Sequence, residues 1–149
     1  MKFQVQGQTV LIDEEDYKLI KGISWYINKQ TGYVFATLGG RTVYMHRLIL
    51  NAGEGQMIDH KNGTRTDNRR SNLRFCTQTQ NLCNKRPYKT NEFGLKGVYR
   101  GKNGKFIAAI TCNGKTHRLG TFLTAIEAAR AYNIGAKLLH GDFARLNAV

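Results

Sequence analysis

The sequence predicts an α+β fold in two modules, and three features lead there. Strand-like runs at 57–60 and 73–76 flank a polar loop, and a helical stretch follows that stops before Pro87. Two Asn-Gly pairs, at 103–104 and 113–114, divide residues 97–121 into three strands. A type I′ hairpin turn needs positive φ at both central residues, which Asn-Gly tolerates. A last helix opens at Thr124-Ala125-Ile126-Glu127, a capping box, and ends near His140-Gly141. Strand, loop, strand, helix, followed by a three-stranded antiparallel sheet plus one helix, gives modules of residues 1–90 and 91–149. With 149 residues and 41% apolar content the chain can bury a core in each.

Taken in order, Phe3-Gln4-Val5 and Thr9 to Ile12 read as strands around Gly7, and Asp13 to Asp16 offers an N-cap with acids in a first turn that Gly22 closes. Trp25–Ile27, Tyr33–Ala36 and Thr42–Met45 follow as strands, so the first forty or so residues read as scaffold. The loop from Lys61 to Asn72 holds Asn62-Gly63 and the arginines 65, 69 and 70, and Thr77 with Gln80 forms the capping box of the next helix. Residues 88–95 are polar enough for a linker. In the final helix Ala125, Ala128, Ala129, Tyr132, Ala136 and Leu139 share one face, and the alanines let it lie close on one side of the sheet. The other side is left for a ligand.

Charge narrows the partner. Twenty-three basic residues stand against ten acidic ones, and the excess is confined to residues 41–149, since residues 1–40 carry four of each sign. Such a footprint fits a polyanion. Neither a bilayer-length apolar run nor a basic amphipathic helix is present, so nucleic acid is favoured over a membrane. Cys76, Cys83 and Cys112 are odd in number and lack Cys-x-x-Cys spacing, so neither a disulfide framework nor a zinc knuckle is indicated. The N-terminus carries no signal-peptide core, so a cytoplasmic location is expected, in a bacterial or phage-infected cell. No obligate protein partner is evident.

Asp59-His60 ends the first strand of the 57–76 unit, Asn72 lies twelve residues after His60 and Asn81 twenty-one after it. Cleaving a phosphodiester with one metal requires oxygen ligands for a hard cation and a base of near-neutral pKa to activate water. Asp59, Asn81 and His60 are the residue types for those parts. With that spacing the segment resembles the HNH endonucleases, in the branch that has Asp-His in the first strand and asparagine as the last letter. The resemblance implies a ββα-metal fold, His60 as general base, Asp59 and Asn81 as ligands of Mg²⁺ or Mn²⁺, and Asn72 as the loop-bracing residue that orients His60. His46-Arg47-Leu48-Ile49 is similar to a segment upstream in the same branch, and a packing or hydrogen-bonding role is expected for His46. His117 and His140 are expected at the surface.

Lys96-Gly97-Val98-Tyr99, Gly104 to Ile110, Leu119-Gly120-Thr121-Phe122, Glu127 to Tyr132 and Leu146-Asn147 resemble an AP2 DNA-binding domain across nearly all of residues 95–147. That resemblance implies a sheet entering the major groove, with Lys96, Tyr99, Arg100, Lys105, Thr111, Thr116 and Arg118 at or near the groove. The two modules together imply a site-specific endonuclease acting on double-stranded DNA, of the homing type carried by phages or mobile elements. The alternatives are a non-catalytic DNA-binding regulator on a degenerate nuclease scaffold, and action on RNA.

Overall fold

In the computed structural model, which describes residues 1–88 and 90–149, the chain forms two compact units, Met1–Gln78 and Thr79–Val149. Each is described separately.

In the first unit, Gln6 and Gly7 at positive φ (49° and 77°) turn β1 (Lys2–Val5) into β2 (Gln8–Leu11), pairing Phe3 with Val10. A 3-10 turn at Glu14–Asp16 leads to α1 (Tyr17–Ile20). A three-stranded antiparallel sheet follows, β3 (Tyr26–Ile27), β4 (Val34–Leu38) and β5 (Arg41–Tyr44), in that order. The chain then enters α2 (Met45–Ile49), which the sequence reading did not contain. Met45, read there as the end of a strand, starts this helix and is wholly buried, so burial of an apolar face overrides the weak local strand signal. The ribbon of β6 (Met57–His60) and β7 (Leu73–Cys76) completes the unit, pairing Asp59 with Arg74 and His60 with Leu73. Val10, Ile12, Val34, Met45, Ile49, Ile58 and Leu73 meet in one core, and the Trp25 indole donates to the Ile20 carbonyl at 3.1 Å.

The loop between β6 and β7 is stitched onto this scaffold. Leu11 donates to the Thr66 carbonyl (2.9 Å) and accepts from the Asn68 amide (2.8 Å), which makes a parallel bridge between Leu11 and Asp67. Arg70 reaches Asp16 with Nε (2.9 Å to Oδ2) and Nη2 (2.6 Å to Oδ1), also donates to the Ile49 carbonyl, and its amide donates to Asp13 Oδ2.

The next helix, α3 (Gln78–Asn84), follows Thr77 as the capping signal predicts and falls, from Thr79 on, in the second unit. Of the expected linker 88–95, Lys89 lies outside the described residues. Residues 91–95 are not a polar tether. The Asn91 side chain accepts from the amides of Phe93 and Leu95 (both 3.1 Å) and donates to the Leu95 carbonyl, while Phe93 and Leu95 pack on the second core. Two apolar residues six or fewer positions from a sheet find its core, which composition alone does not reveal.

The sheet has the order β10-β9-β8, with β8 Val98–Arg100, β9 Phe106–Cys112 and β10 Lys115–Phe122. Both Asn-Gly turns have the positive φ they predict: 60° and 72° at 103–104, 49° and 75° at 113–114. Helix α4 (Ala125–His140) carries both bonds of its capping box and buries Ala128, Ala129, Tyr132, Gly135 and Ala136. Leu139, expected on that face, is 41% exposed, and Gly135 lies there instead, leaving room for Leu119. Gly97 is the tightest point: a Cβ there would meet the Tyr132 ring at 2.1 Å and the Ala109 carbonyl at 2.5 Å. Asn147 closes the unit by accepting from the Lys96 amide (2.7 Å), and Asn133 accepts from the Asn147 amide (2.7 Å).

Candidate active site

Strand alternation sends His60 to the same side of the β6–β7 ribbon as the core residue Ile58, and Asp59 to the other side with its cross-strand partner Arg74. Arg74 donates to Asp59 Oδ2 through Nε (2.9 Å) and Nη2 (2.6 Å), with both side chains largely buried. The guanidinium offsets the cost of burying the carboxylate.

His60 is 3% exposed and sits among rings from the scaffold. His46 lies edge-on at 5.2 Å between centroids, and Tyr33 stands 5.9 Å from His60 and 5.0 Å from His46. Its Nε2 is 3.2 Å from Asn68 Oδ1. In the tautomer protonated on Nε2 the ring donates to this amide oxygen and keeps its lone pair on Nδ1. Burial lowers the His60 pKa, against the raising effects of Asn68 and Asp59, and the Arg65 charge lowers it further. The ring is thus neutral at neutral pH.

Asn72 accepts from the Asn62 amide (3.0 Å) and donates to the Asp67 carbonyl (2.7 Å), so it braces the loop from inside. It reaches His60 through that loop, whereas the amide beside the imidazole is that of Asn68. Asn68 is wholly buried and was missed in the sequence, where an asparagine in a polar loop gives no sign of burial. Its neighbour Asp67 is held by Arg69 (2.8 and 2.7 Å) and by Asn62 (2.9 Å), and the Arg69 bond lowers its pKa. Asn81, the other expected ligand, is half-buried on α3 in the second unit.

His46, at the start of α2, is 7% exposed, and its Nδ1 has no hydrogen-bond partner. Burial, then the neighbouring His60 and Arg47, push its pKa down to about 3 from 6.5. The folded state therefore refuses a proton that the unfolded chain accepts. This contribution to stability is complete above about pH 6.5 and is lost as pH falls from there toward 3, amounting to about 2 kcal/mol at pH 5. Denaturant unfolding at pH 7 and pH 5 should register that loss, and His46→Phe should remove this share of it. An unchanged pH dependence in His46→Phe would mean that His46 is not excluded from protonation.

In the second unit, the candidate groove residues differ in their surroundings. Residues Tyr99, Lys105, Thr111, Thr116 and Arg118 are exposed, Thr111 and Thr116 share a 2.9 Å hydroxyl bond across the turn, and Arg118 donates to Thr121. Arg100 pairs with Glu92 at 2.7 Å and lies over Phe93. Lys96 is half-buried, donates to the Cys83 carbonyl, and is pushed by burial down to about 8. His117 is exposed as expected, but His140 is not a free surface residue, since its Nε2 lies 3.0 Å from the Thr111 carbonyl.

The surroundings of Asp59, His60 and Asn72 are those of a ribbon whose loop is built to hold a histidine. Residues 43–83 match the HNH endonuclease family. The segment begins in β5, before His46, and ends in α3, beyond Asn81, so every residue of the expected nuclease set falls within it. The chain is also similar to an uncharacterized HNH endonuclease of Acanthamoeba polyphaga mimivirus, 29% identical over 150 aligned positions that cover 97% of this chain and 77% of the relative. No described helix is long and apolar enough to cross a membrane.

Proposed function

We propose that this chain is a divalent-metal-dependent endonuclease that hydrolyses phosphodiester bonds in double-stranded DNA, of the homing type, with residues 1–90 carrying the chemistry and the AP2-like residues 91–149 gripping the DNA. The supporting observation is His60: buried, neutral at neutral pH, and held at Nε2 by Asn68, which in the tautomer protonated there leaves Nδ1 as the basic nitrogen. In this role His60 takes a proton from the attacking water, while Asn72 keeps the loop that carries Asn68 in place.

The donor set suits a hard cation. Asp59 and Asn81 offer oxygen ligands, and among the described residues no group of three or more His, Cys, Asp or Glu could hold an ion. An ion with few protein ligands retains waters, as Mg²⁺ commonly does. Mg²⁺ or Mn²⁺, for which the resemblance names Asp59 and Asn81 as ligands, would supply positive charge at the scissile phosphate and the leaving 3′ oxygen. Arg74, bonded to Asp59 Oδ2 through Nε and Nη2, orients that carboxylate.

Incubating the purified chain with duplex DNA, and in parallel with RNA, in Mg²⁺, in Mn²⁺ and in chelator tests this. Cleavage of DNA that needs metal and leaves 5′-phosphate and 3′-hydroxyl ends is expected. Full activity in chelator would remove the metal from the mechanism. DNA binding without cleavage in either metal would favour the regulator, and cleavage confined to RNA would change the substrate.

A further inference from the structure

Five basic side chains belong to the loop and strand that follow His60, and three of them pair with carboxylates. Arg69 pairs with Asp67, Arg70 with Asp16 and Arg74 with Asp59, while Lys61 donates to the Ser71 carbonyl. Arg65 differs from the other three arginines: it has no carboxylate partner among the described residues. Its guanidinium lies over the Tyr33 ring, 4.7 Å from the centroid, and donates to the Thr31 carbonyl. Gly32, at positive φ, lies against its stem, since a Cβ there would stand 3.7 Å from Arg65 Cδ. The planar cation is thereby held in place while the residue stays exposed.

The position of the platform gives this meaning. The Tyr33 ring that carries Arg65 is the same ring that packs against His46 and His60. An uncompensated guanidinium, pre-oriented by an aromatic face and a backbone carbonyl, loses little freedom on meeting a phosphate and can donate to both of its non-bridging oxygens. We propose that Arg65 is a phosphate-positioning residue, docking one backbone phosphate of the DNA strand so that the strand lies alongside His60. This rests on the nuclease reading above and assigns Arg65 no base contact. Its contribution is therefore blind to sequence and dependent on salt.

The experiment is binding of the full chain to duplex DNA in chelator, across a salt series, with single neutral methylphosphonates scanned along each strand. Arg65→Gln should weaken binding roughly tenfold, the usual order for a charge-assisted hydrogen bond, and reduce the slope of log K against log salt by about 0.9. One methylphosphonate position should weaken the wild type and leave Arg65→Gln unaffected. Arg65→Lys keeps the charge but not the stacked plane, so it should retain the slope and lose part of the affinity. If no position separates wild type from Arg65→Gln, or the slope does not change, the contact does not exist. Cleavage of the same duplex in Mg²⁺ keeps the two ideas apart. A coupled phosphate without cleavage refutes the nuclease and sustains the Arg65 contact, whereas cleavage without a coupled phosphate refutes the contact alone.

Discussion

His60→Ala should lower the rate of DNA cleavage by roughly two to four orders of magnitude, the usual worth of a positioned general base, while duplex binding in chelator stays within a few-fold of wild type. Both halves follow from where the ring sits. His60 is 3% exposed, so its removal takes little from the surface that grips a strand, yet its orientation through Asn68 gives it a defined basic nitrogen. Asn68→Ala should reproduce part of the loss with the imidazole still present, because the bond at Nε2 that helps set the ring angle is then gone. Single-turnover cleavage measures both variants. Cleavage by His60→Ala at near wild-type rate would take His60 out of the reaction and with it the role of Asn68. The His60→Ala cavity also touches the rings of His46 and Tyr33, so unfolding should be followed alongside, to distinguish a lost base from a loosened fold.

Arg70→Ala should destabilise the first unit by about 2–4 kcal/mol. Asp16 is 2% exposed and Arg70 supplies three of its hydrogen bonds, so truncating the arginine strands a buried carboxylate, the case in which breaking a pair is most damaging. The value falls below that of a fully buried pair because the Arg70 side chain is itself 44% exposed. Loss of the bond to the Ile49 carbonyl adds to the effect. Since Arg70 ties the β6–β7 loop to the turn before α1, the variant should also impair cleavage even where it remains folded. Urea unfolding of Arg70→Ala, Asp16→Ala and the double variant reads the coupling directly, and the double variant should cost clearly less than the two singles together. Additivity would mean that the pair does not staple the loop.

Much of the second unit was legible in the sequence. The two Asn-Gly turns and the Thr124 capping box are local devices whose backbone requirements are met by the residues themselves, and all three are realised. So are the ribbon 57–60 with 73–76 and the helix after Thr77, because alternation and capping are properties of neighbours in the chain. Asp59, His60, Asn72 and Asn81 were picked out by their spacing, and all four fall within residues 43–83, the stretch that matches the HNH endonucleases.

Other features depended on residues far apart in sequence. Nothing local to Asp67-Asn68 announces that Leu11 pairs with this stretch and buries it, so the asparagine that holds His60 could not be told from any other loop asparagine. Leu139 and Gly135 exchanged places because helical periodicity fixes a face but not its width, which the sheet decides. The residues at 91–95 became packed structure because Phe93 and Leu95 reached a core assembled by strands that follow them. What the sequence determined by itself was the set of turns, caps and chemical groups, each dictated by bonding within a few residues. What only the tertiary structure decided was which polar groups are buried against one another, since desolvation and charge pairing depend on neighbours brought together by the fold: Arg70 on Asp16 from 54 positions away, and Arg65 on the ring of Tyr33.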